Sequence, residues 1–502
     1  MIYLTSLISQ NYKIQLILFL LAGIIFKSFY LLNSSFWITD IFCYIEGAKS
    51  IIDGQTIYKN FGDIKPPGIF WIYFLLIKIA SYDKIFISLK FLVICFQTLS
   101  ALCLSRIGDN LFKKRVGLYL GLSFLFFLSL EFRFWSPNIM LLSLLPLLTA
   151  IFFLTKNKLN PSNLDIFLTG IFFSLGTIIS TNLILMTFLI PITISYRTKN
   201  IKKIIKESFI GFCGFVIIFI ATFFYFYKQE SLPDFLWWNF QWPLIYSYKP
   251  IPLKIINFFY GLFKTWELLP LYIIASFSIY KIIKTKEFKT DKVALFLISF
   301  LGISILTRLT LSKPQPRYYL YLIPALLLPC AYFHNLKLLN KKNYQLLWSL
   351  IIIAALGFNW HLSKKHSSDG WVASREKIYE WIKNHTAKND FIFVWPLGKE
   401  FYYKTKRRMA TSFFSPKHHL AYVYAWEHNN YKNLHLPWEK FTAELKRDNP
   451  KLIIDLTGNF SYPEENLARP KLVNLVDNFR KKIYHNYNNS ISFGKIKIWQ
   501  KK

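Results

Sequence analysis

Residues 33–80 read NSSFWITDIFCYIEGAKSIIDGQTIYKNFGDIKPPGIFWIYFLLIKIA, and this stretch decides the fold. An acid, Asp40, follows the first apolar run. An amphipathic segment extends from Tyr44 to Asp53, and Lys65-Pro66-Pro67-Gly68 then opens a second aromatic run. Prolines fit the first turn of a helix because the amides there have no intrahelical acceptor. The run from Ile69 to Ala80 is too short for a hydrocarbon core of roughly 30 Å, which takes about 20 apolar residues. It is expected to lie half-buried in the membrane interface beside the amphipathic segment. Asp40, Asp63 and Lys65 would then sit at the membrane surface under aromatic cover, where the head group of a lipid phosphate would be.

Outward from this loop the chain is that of a polytopic membrane protein. Of its 502 residues 53% are hydrophobic, with 50 Phe, 30 Tyr and 15 Trp, a composition that excludes a disordered or a disulfide-framework protein. Apolar runs at 14–33, 84–105, 117–131, 139–155, 164–180, 182–196, 208–227, 267–283, 293–309, 318–334 and 344–360 predict about eleven transmembrane helices, besides the interfacial helices of the first loop. Lys and Arg recur in alternate loops (106–115, 156–158, 197–206, 281–292 and 337–342). The opposite loops are longer and rich in Trp, Tyr and Pro, as in SLPDFLWWNFQWPLIYSYKP from Ser231 to Pro250. The positive-inside rule then puts the N-terminus in the cytoplasm and the residues after 360 outside, in the periplasm of a Gram-negative cell. The first apolar run reads as an anchor helix and not as a cleaved signal peptide.

Two parts are expected: a transmembrane module, 1–360, and an extracytoplasmic α/β domain, 361–502. The second part has helix-like segments near Ser374–His385 and Trp438–Arg447, strand-like Phe391–Trp395 and Lys451–Leu456, and a late alternating run Ile491–Trp499. The formal net charge of +34 is shared by both parts, so it reads as topology and attraction to anionic lipid, with no nucleic-acid motif. The five cysteines form no CxxC pair. Eight of the nine histidines follow Trp360, including His418 and His419, but adjacent histidines diverge on any regular element and no metal-binding spacing accompanies them. No metal site is expected.

The acid after the first span, Tyr44-x-Glu46-Gly47-Ala48, Gly54-x-x-x-Tyr58 and Asp63-x-Lys65-Pro66-Pro67-Gly68 together resemble the GT-C glycosyltransferases. The branch is that of the protein O-mannosyltransferases and the aminoarabinose or galacturonic acid transferases of lipid A (glycosyltransferase family 39-like). The resemblance extends to PQPRYYLYLIPALLL, Pro314–Leu328. It implies transfer of one sugar, with inversion, from a polyprenyl-phosphate donor to an acceptor hydroxyl on the outer face of a bacterial inner membrane. It implies Asp40 as the catalytic carboxylate, acting as general base, and Asp63, Lys65, Arg317, Tyr44 and Tyr58 as substrate-binding residues. Lys65 and Arg317 would meet the phosphate charge, the lysine as a point charge and the arginine as a fork. The acceptor would be a glycolipid, a polysaccharide or a protein, and membrane lipid is a further partner. No cofactor is required, and a divalent metal is left open.

The pattern departs from the family in places. Ile41 stands where many relatives have a second acid, so Asp63 becomes the candidate for that role. Arg317-Tyr318 stands where many have His-Tyr. The Trp-Trp-Asp signature of oligosaccharyltransferases is missing from the tail, and Trp237-Trp238-Asn239 sits in a membrane loop, which disfavours glycan transfer to asparagine. Each candidate also has a structural alternative: Asp40 as a helix cap, Asp63 as a turn residue, Lys65 as a snorkelling lysine, Arg317 as a head-group anchor. Lys27 is expected to snorkel from the outer end of the first span. Lys404, Lys406, Arg407 and Arg408 read as a solvated basic face. The competing functions are a transporter or flippase of lipid-linked sugars, which would show repeated halves or several buried ionisable residues, and an O-antigen ligase or polymerase, which would tolerate neutralisation of Asp40.

Overall fold

The computed structural model describes residues 11–32, 40–112, 116–241, 243, 250–284, 290–311, 313–335, 370–395, 398–413, 435–456, 481 and 484–502. Lipid offers the backbone no hydrogen-bond partner, so apolar segments fold as helices that satisfy their own amides and carbonyls. The helices are α1 (Tyr12–Leu32), α2 (Asp40–Ile52), α3 (Pro67–Ala80), α4 (Ile85–Leu111), α5 (Val116–Leu130), α6 (Ile139–Leu159), α7 (Asn163–Ile179), α8 (Leu189–Arg197), α9 (Ile201–Lys228), α10 (Ile251–Phe263), α11 (Leu269–Lys284), α12 (Lys292–Leu309) and α13 (Leu322–Asn335). Among the described residues, five helical stretches are each long and apolar enough to cross a membrane: α4, α6, α9, α12 and Trp266–Lys284, which contains α11. Ten of the eleven expected spans fall on helical segments. The eleventh, 344–360, and the expected boundary at 360 lie outside the described residues.

Two expectations for the helical part are corrected. Residues 182–196 are not one regular helix but a 3-10 run, Thr181–Phe188, followed by the short α8. Pro191 has no amide to give the Thr187 carbonyl, so the 3-10 run and α8 are not joined by that helical hydrogen bond. Lys27 does not snorkel. It is buried, its Nζ donates to the Leu128 carbonyl at 2.8 Å, and it lies 4.8 Å from the centre of the Trp135 ring.

The expected α/β domain is present as a five-stranded mixed sheet. Its elements are α14 (Gly370–His385), β1 (Phe391–Trp395), α15 (Lys399–Thr405), β2 (Arg408–Met409), α16 (His435–Asp448), β3 (Leu452–Asp455), β4 (Tyr487–Phe493) and β5 (Ile496–Lys501). The strand order is β2-β1-β3-β5-β4, with β1 parallel to β2 and β3, and β5 antiparallel to β3 and β4. The late run read as one strand is a hairpin. Gly494, at φ 60°, supplies the positive angle that a two-residue turn needs at its first central position.

Two apolar clusters organise the molecule. One fills the helical bundle. The other joins α2, α3 and the loop between them to both faces of the sheet, through Tyr44, Tyr58, Phe70, Trp238, Phe393, Phe413 and Phe441. The sheet therefore shares a core with the first loop.

Helices α7 and α9 approach closely because the crossing is made of glycines. A Cβ on Gly170 would collide with the Gly211 carbonyl, and one on Gly214 with the Phe167 carbonyl. Gly170→Ala is expected to destabilise the protein by roughly 1–3 kcal/mol through overpacking. Gly302→Ala, where a Cβ would meet nothing within 4 Å, should leave the melting temperature in detergent unchanged or slightly raised.

Candidate active site

The site is built first by the opening of α2. Asp40 is its first residue, and Cys43, Tyr44 and Gly47 follow on the same face. Gly47 is required there: a Cβ would run into the Phe70 ring of α3. This region was read from the sequence as an amphipathic segment at the membrane surface, and Ile41, Tyr44, Ile45 and Ala48 are all fully or almost fully buried, in one cluster with α3 and the sheet domain.

The loop that follows carries Asp63 and Lys65. Asp63 is buried. Its Oδ1 accepts the Lys65 amide at 3.1 Å, and its Oδ2 accepts the Cys43 thiol at 2.9 Å. It is thus a turn residue in the expected sense and also a second carboxylate beside α2. Tyr58 is fully buried. Its hydroxyl donates to the Lys65 carbonyl at 2.7 Å, with Asn239 Oδ1 at 3.4 Å. Its φ of 70° is unusual for a side chain of this size. The rings of Phe226 and Phe235, with centroids 5.3 and 5.7 Å away, hold it there. Tyr58 therefore acts on Lys65 by fixing its backbone. Tyr44 packs edge-on against Tyr73 at 5.4 Å. The Lys65 ammonium has no hydrogen bond or ion pair among the described residues, and it acts on Asp40 through space.

The third piece is the segment before α13. Arg308 is buried and donates to the carbonyls of Leu311 and Lys313 at 2.9 and 3.0 Å and to the Tyr319 hydroxyl at 3.2 Å, which shapes the turn. From that turn Arg317 Nη1 reaches Asp40 Oδ2 at 2.9 Å. The anchor expected at a helix end is instead an inward ion pair.

The fourth piece is one that sequence reasoning missed. Lys399 opens α15 in the sheet domain, and its Nζ lies 3.3 Å from Asp40 Oδ1 across 359 residues of chain. Gly398 before it lets the helix start close to the sheet, since a Cβ there would crowd Val394 and Leu456. A lysine in a chain with 61 Lys and Arg carries no signal of its own, and only the docking of the sheet reveals it. The basic run beyond it is not a bare solvated face either. Lys404 pairs with Glu376 at 2.8 Å, Lys406 with Asp83 at 2.6 Å, and Arg407 is buried against the carbonyls that end α14. His418 and His419 lie outside the described residues. Among the described residues no cluster of three His, Cys, Asp or Glu could hold a metal ion.

The electrostatics follow from this geometry. Burial opposes the ionised form of Asp40, but Arg317, Lys399 and Lys65 outweigh it and hold the carboxyl well below the usual carboxylate range. For Lys399, burial favours the neutral amine, and Cys43, Asp40 and Asp63 overcome it, so the lysine titrates above its ordinary value. Arg317 moves the same way, against burial and because of Asp40. Tyr318 is drawn below its ordinary value by Arg317 and Lys65, again against burial. Three cations and two carboxylates thus share one aromatic-covered niche, with a formal excess of one positive charge.

Nearly the whole chain aligns with a solved structure. ArnT from Cupriavidus metallidurans, in a crystal structure bound to undecaprenyl phosphate, superposes with a TM-score of 0.59 over 96% of this chain and 97% of its own, at 12% sequence identity. The chain shares the fold of that protein. Two structures of an Archaeoglobus fulgidus oligosaccharyltransferase, one tethered to an acceptor peptide and one (AglB) with an inhibitory peptide and a dolichol-phosphate, align with TM-scores of 0.49 and 0.46. Each is 11% identical, over 88% of this chain and 68% and 69% of theirs. No family model and no curated protein matches the chain. In this fold the first loop and the sheet domain meet over α2, which is why a residue as distant in sequence as Lys399 reaches Asp40.

The folded-state pKa of Asp40 lies below the unfolded value of about 3.9, so its ionisation stabilises the fold above that pH and the contribution is lost as the pH falls towards the folded value. Asp40→Asn, which leaves the buried Lys399 and the half-buried Arg317 without their partner, should cost roughly 3–5 kcal/mol near neutral pH. The gap between wild type and variant in thermal melts should narrow steadily below about pH 4. A gap that does not change with pH would contradict the ion triad.

Proposed function

We propose that this protein is an inverting glycosyltransferase. It moves a single sugar from a polyprenyl-phosphate donor to an acceptor hydroxyl on the outer face of the membrane, with Asp40 as general base. The observation that carries the reading is the niche itself: a half-buried carboxylate at the start of α2 with three cations gathered around it, Lys65 from the same loop, Arg317 from the turn before α13 and Lys399 from the sheet domain. The GT-C fold shared with a protein solved with undecaprenyl phosphate supports it.

In this reading the acceptor oxygen attacks the anomeric carbon while its proton passes to an Asp40 oxygen. The bond from the anomeric carbon to the phosphate oxygen breaks, and its electron pair leaves with the phosphate. A phosphate leaving group needs its growing charge stabilised more than it needs a proton. Lys65, whose ammonium has no hydrogen bond or ion pair among the described residues, and the Arg317 fork would supply that charge. Tyr58 and Asp63 act one step back, setting the backbone of Lys65. Tyr44 lines the α2 face that carries Asp40. No cofactor is required on this account. The acceptor is a glycolipid, a polysaccharide or a protein. A polar cavity of about 330 Å³ between the far end of α2 and the sheet domain, lined by Glu46, Lys49, Asp53, Arg408 and Glu444 among others, is a place to receive its polar part. In this reading the N-terminus lies in the cytoplasm and residues 361–502 lie outside, as the distribution of Lys and Arg among the loops supports.

The test is release of free polyprenyl phosphate from a panel of polyprenyl-phosphate sugars, with an envelope extract as acceptor. Asp40→Asn should lower acceptor-dependent release by about 10²–10⁴-fold, and Lys65→Ala should raise the donor KM by about tenfold. Release that survives Asp40→Asn would remove Asp40 as base and favour a ligase-type enzyme. Donor movement across vesicles without any release would favour a transporter.

A further inference from the structure

Lys399 does not merely neutralise Asp40. Its Nζ lies 3.3 Å from Oδ1 of the same carboxylate whose Oδ2 takes Arg317 at 2.9 Å, so both oxygens of the base are occupied by cations. A carboxylate in that state is ionised but a poor proton acceptor, since taking a proton means giving up both partners. The same two cations, with Lys65 close by, are the strongest anion-binding groups in the niche. The side chain of Asp40 stands where an external anion would be held.

We propose that Lys399 is a ligand of the donor phosphate delivered by the sheet domain, and that the phosphate takes Arg317 and Lys399 from Asp40, freeing the base only while donor is bound. This rests on the glycosyltransferase reading and gives it an order: donor first, acceptor proton second. Formal charge supports the exchange. The free niche holds Lys65, Arg317 and Lys399 against Asp40 and Asp63, an excess of one positive charge, and a donor phosphodiester brings one negative charge. When the bond between anomeric carbon and phosphate oxygen breaks, the phosphate gains a second negative charge as Asp40 gains the acceptor's proton, so the niche keeps its total. The Cys43 thiol, bonded to Asp63 at 2.9 Å and adjacent to Lys399, holds the second carboxylate out of the exchange. Without donor, the base stays tied to its cations and water finds no acceptor for its proton.

The exchange makes Asp40 a competitor of the phosphate, which a purely structural ion triad would not be. The full chain in detergent is titrated with undecaprenyl phosphate, followed by binding and by the rise in melting temperature. Asp40→Asn removes the internal anion and is expected to bind undecaprenyl phosphate several-fold more tightly than wild type, with a larger thermal shift, although it does not transfer sugar. Lys399→Met is expected to weaken binding about tenfold or more, with Lys399→Arg recovering most of the affinity. Lys404→Ala, on the same helix but paired with Glu376 away from the niche, serves as the unchanged control. Equal or weaker binding by Asp40→Asn, or wild-type affinity in Lys399→Met, would overturn the inference and leave the transferase reading standing. No binding by wild type would overturn both. If Lys399→Met does not fold, Asp40→Asn and Lys399→Arg decide the matter.

Discussion

Asp40 is a carboxylate largely withdrawn from water, and its ionised form persists there only because two cations from distant parts of the chain meet its two oxygens. Withdrawing each such ion costs several kcal/mol, which only close pairing offsets. The start of α2, the turn before α13 and the start of α15 are consequently held at one point, and the remaining architecture of the site serves that meeting. Arg308 ties the turn that presents Arg317. Gly398 lets α15 close on the sheet so that Lys399 can reach. Cys43 and Lys65, through the two oxygens of Asp63, keep the second acid engaged.

The aromatic content of the chain finds its use here. Tyr58 sits at a positive φ that costs a non-glycine residue about 1–2 kcal/mol. Its ring is packed among Phe70, Phe226 and Phe235, and contacts of that kind are worth about 0.5–1.5 kcal/mol each beyond the area buried. Packing therefore exceeds the strain, and the strained residue positions the Lys65 backbone. The Trp237–Gln241 turn extends the same scaffold. Trp238 lies over Gly62, where a Cβ would collide with its ring, and Asn239 reaches the Tyr58 hydroxyl.

The sequence made the helical part legible because lipid imposes a simple rule of length and apolarity. Its reading failed where a local device overrode that rule. An apolar run that looked continuous is divided where Pro191 withholds one helical hydrogen bond, and the carbonyl of Leu128 gave Lys27 a partner inside the protein. In the candidate site, Asp40, Asp63, Lys65 and Arg317 were singled out from the motifs that carry the family resemblance, and the pairing of Asp40 with Arg317 comes from tertiary structure. Lys399 was not visible. Its role comes from tertiary docking, and nothing in Gly398-Lys399-Glu400 separates it from the other lysines of a basic chain. Glu46 was quoted only as part of a motif, yet it is a buried acid whose pKa burial raises, against Lys49 and a 2.5 Å hydrogen bond from Tyr82.

What holds the sheet domain against the loop decides how firmly Lys399 is delivered. Besides Lys399 with Asp40, two ion pairs among the described residues cross the seam, Lys406 with Asp83 and Lys440 with Asp234, and these four side chains are between about a third and three-quarters exposed. Pairs of that kind contribute about 0.2–1 kcal/mol and weaken in salt. The Gly62 amide gives the Ser412 carbonyl one backbone bond of 2.8 Å. The apolar contacts are larger. Tyr403 meets Phe42, Tyr82 and Phe86 with centroids 5.7, 5.1 and 5.1 Å apart, and Trp238 meets Phe413 at 5.8 Å. Because the seam continues a shared core, burial carries the docking and the charges at its rim set its register. A domain held in this way keeps Lys399 in place at any ordinary ionic strength. The charge exchange at Asp40 can then answer to the phosphate that enters and not to the salt outside.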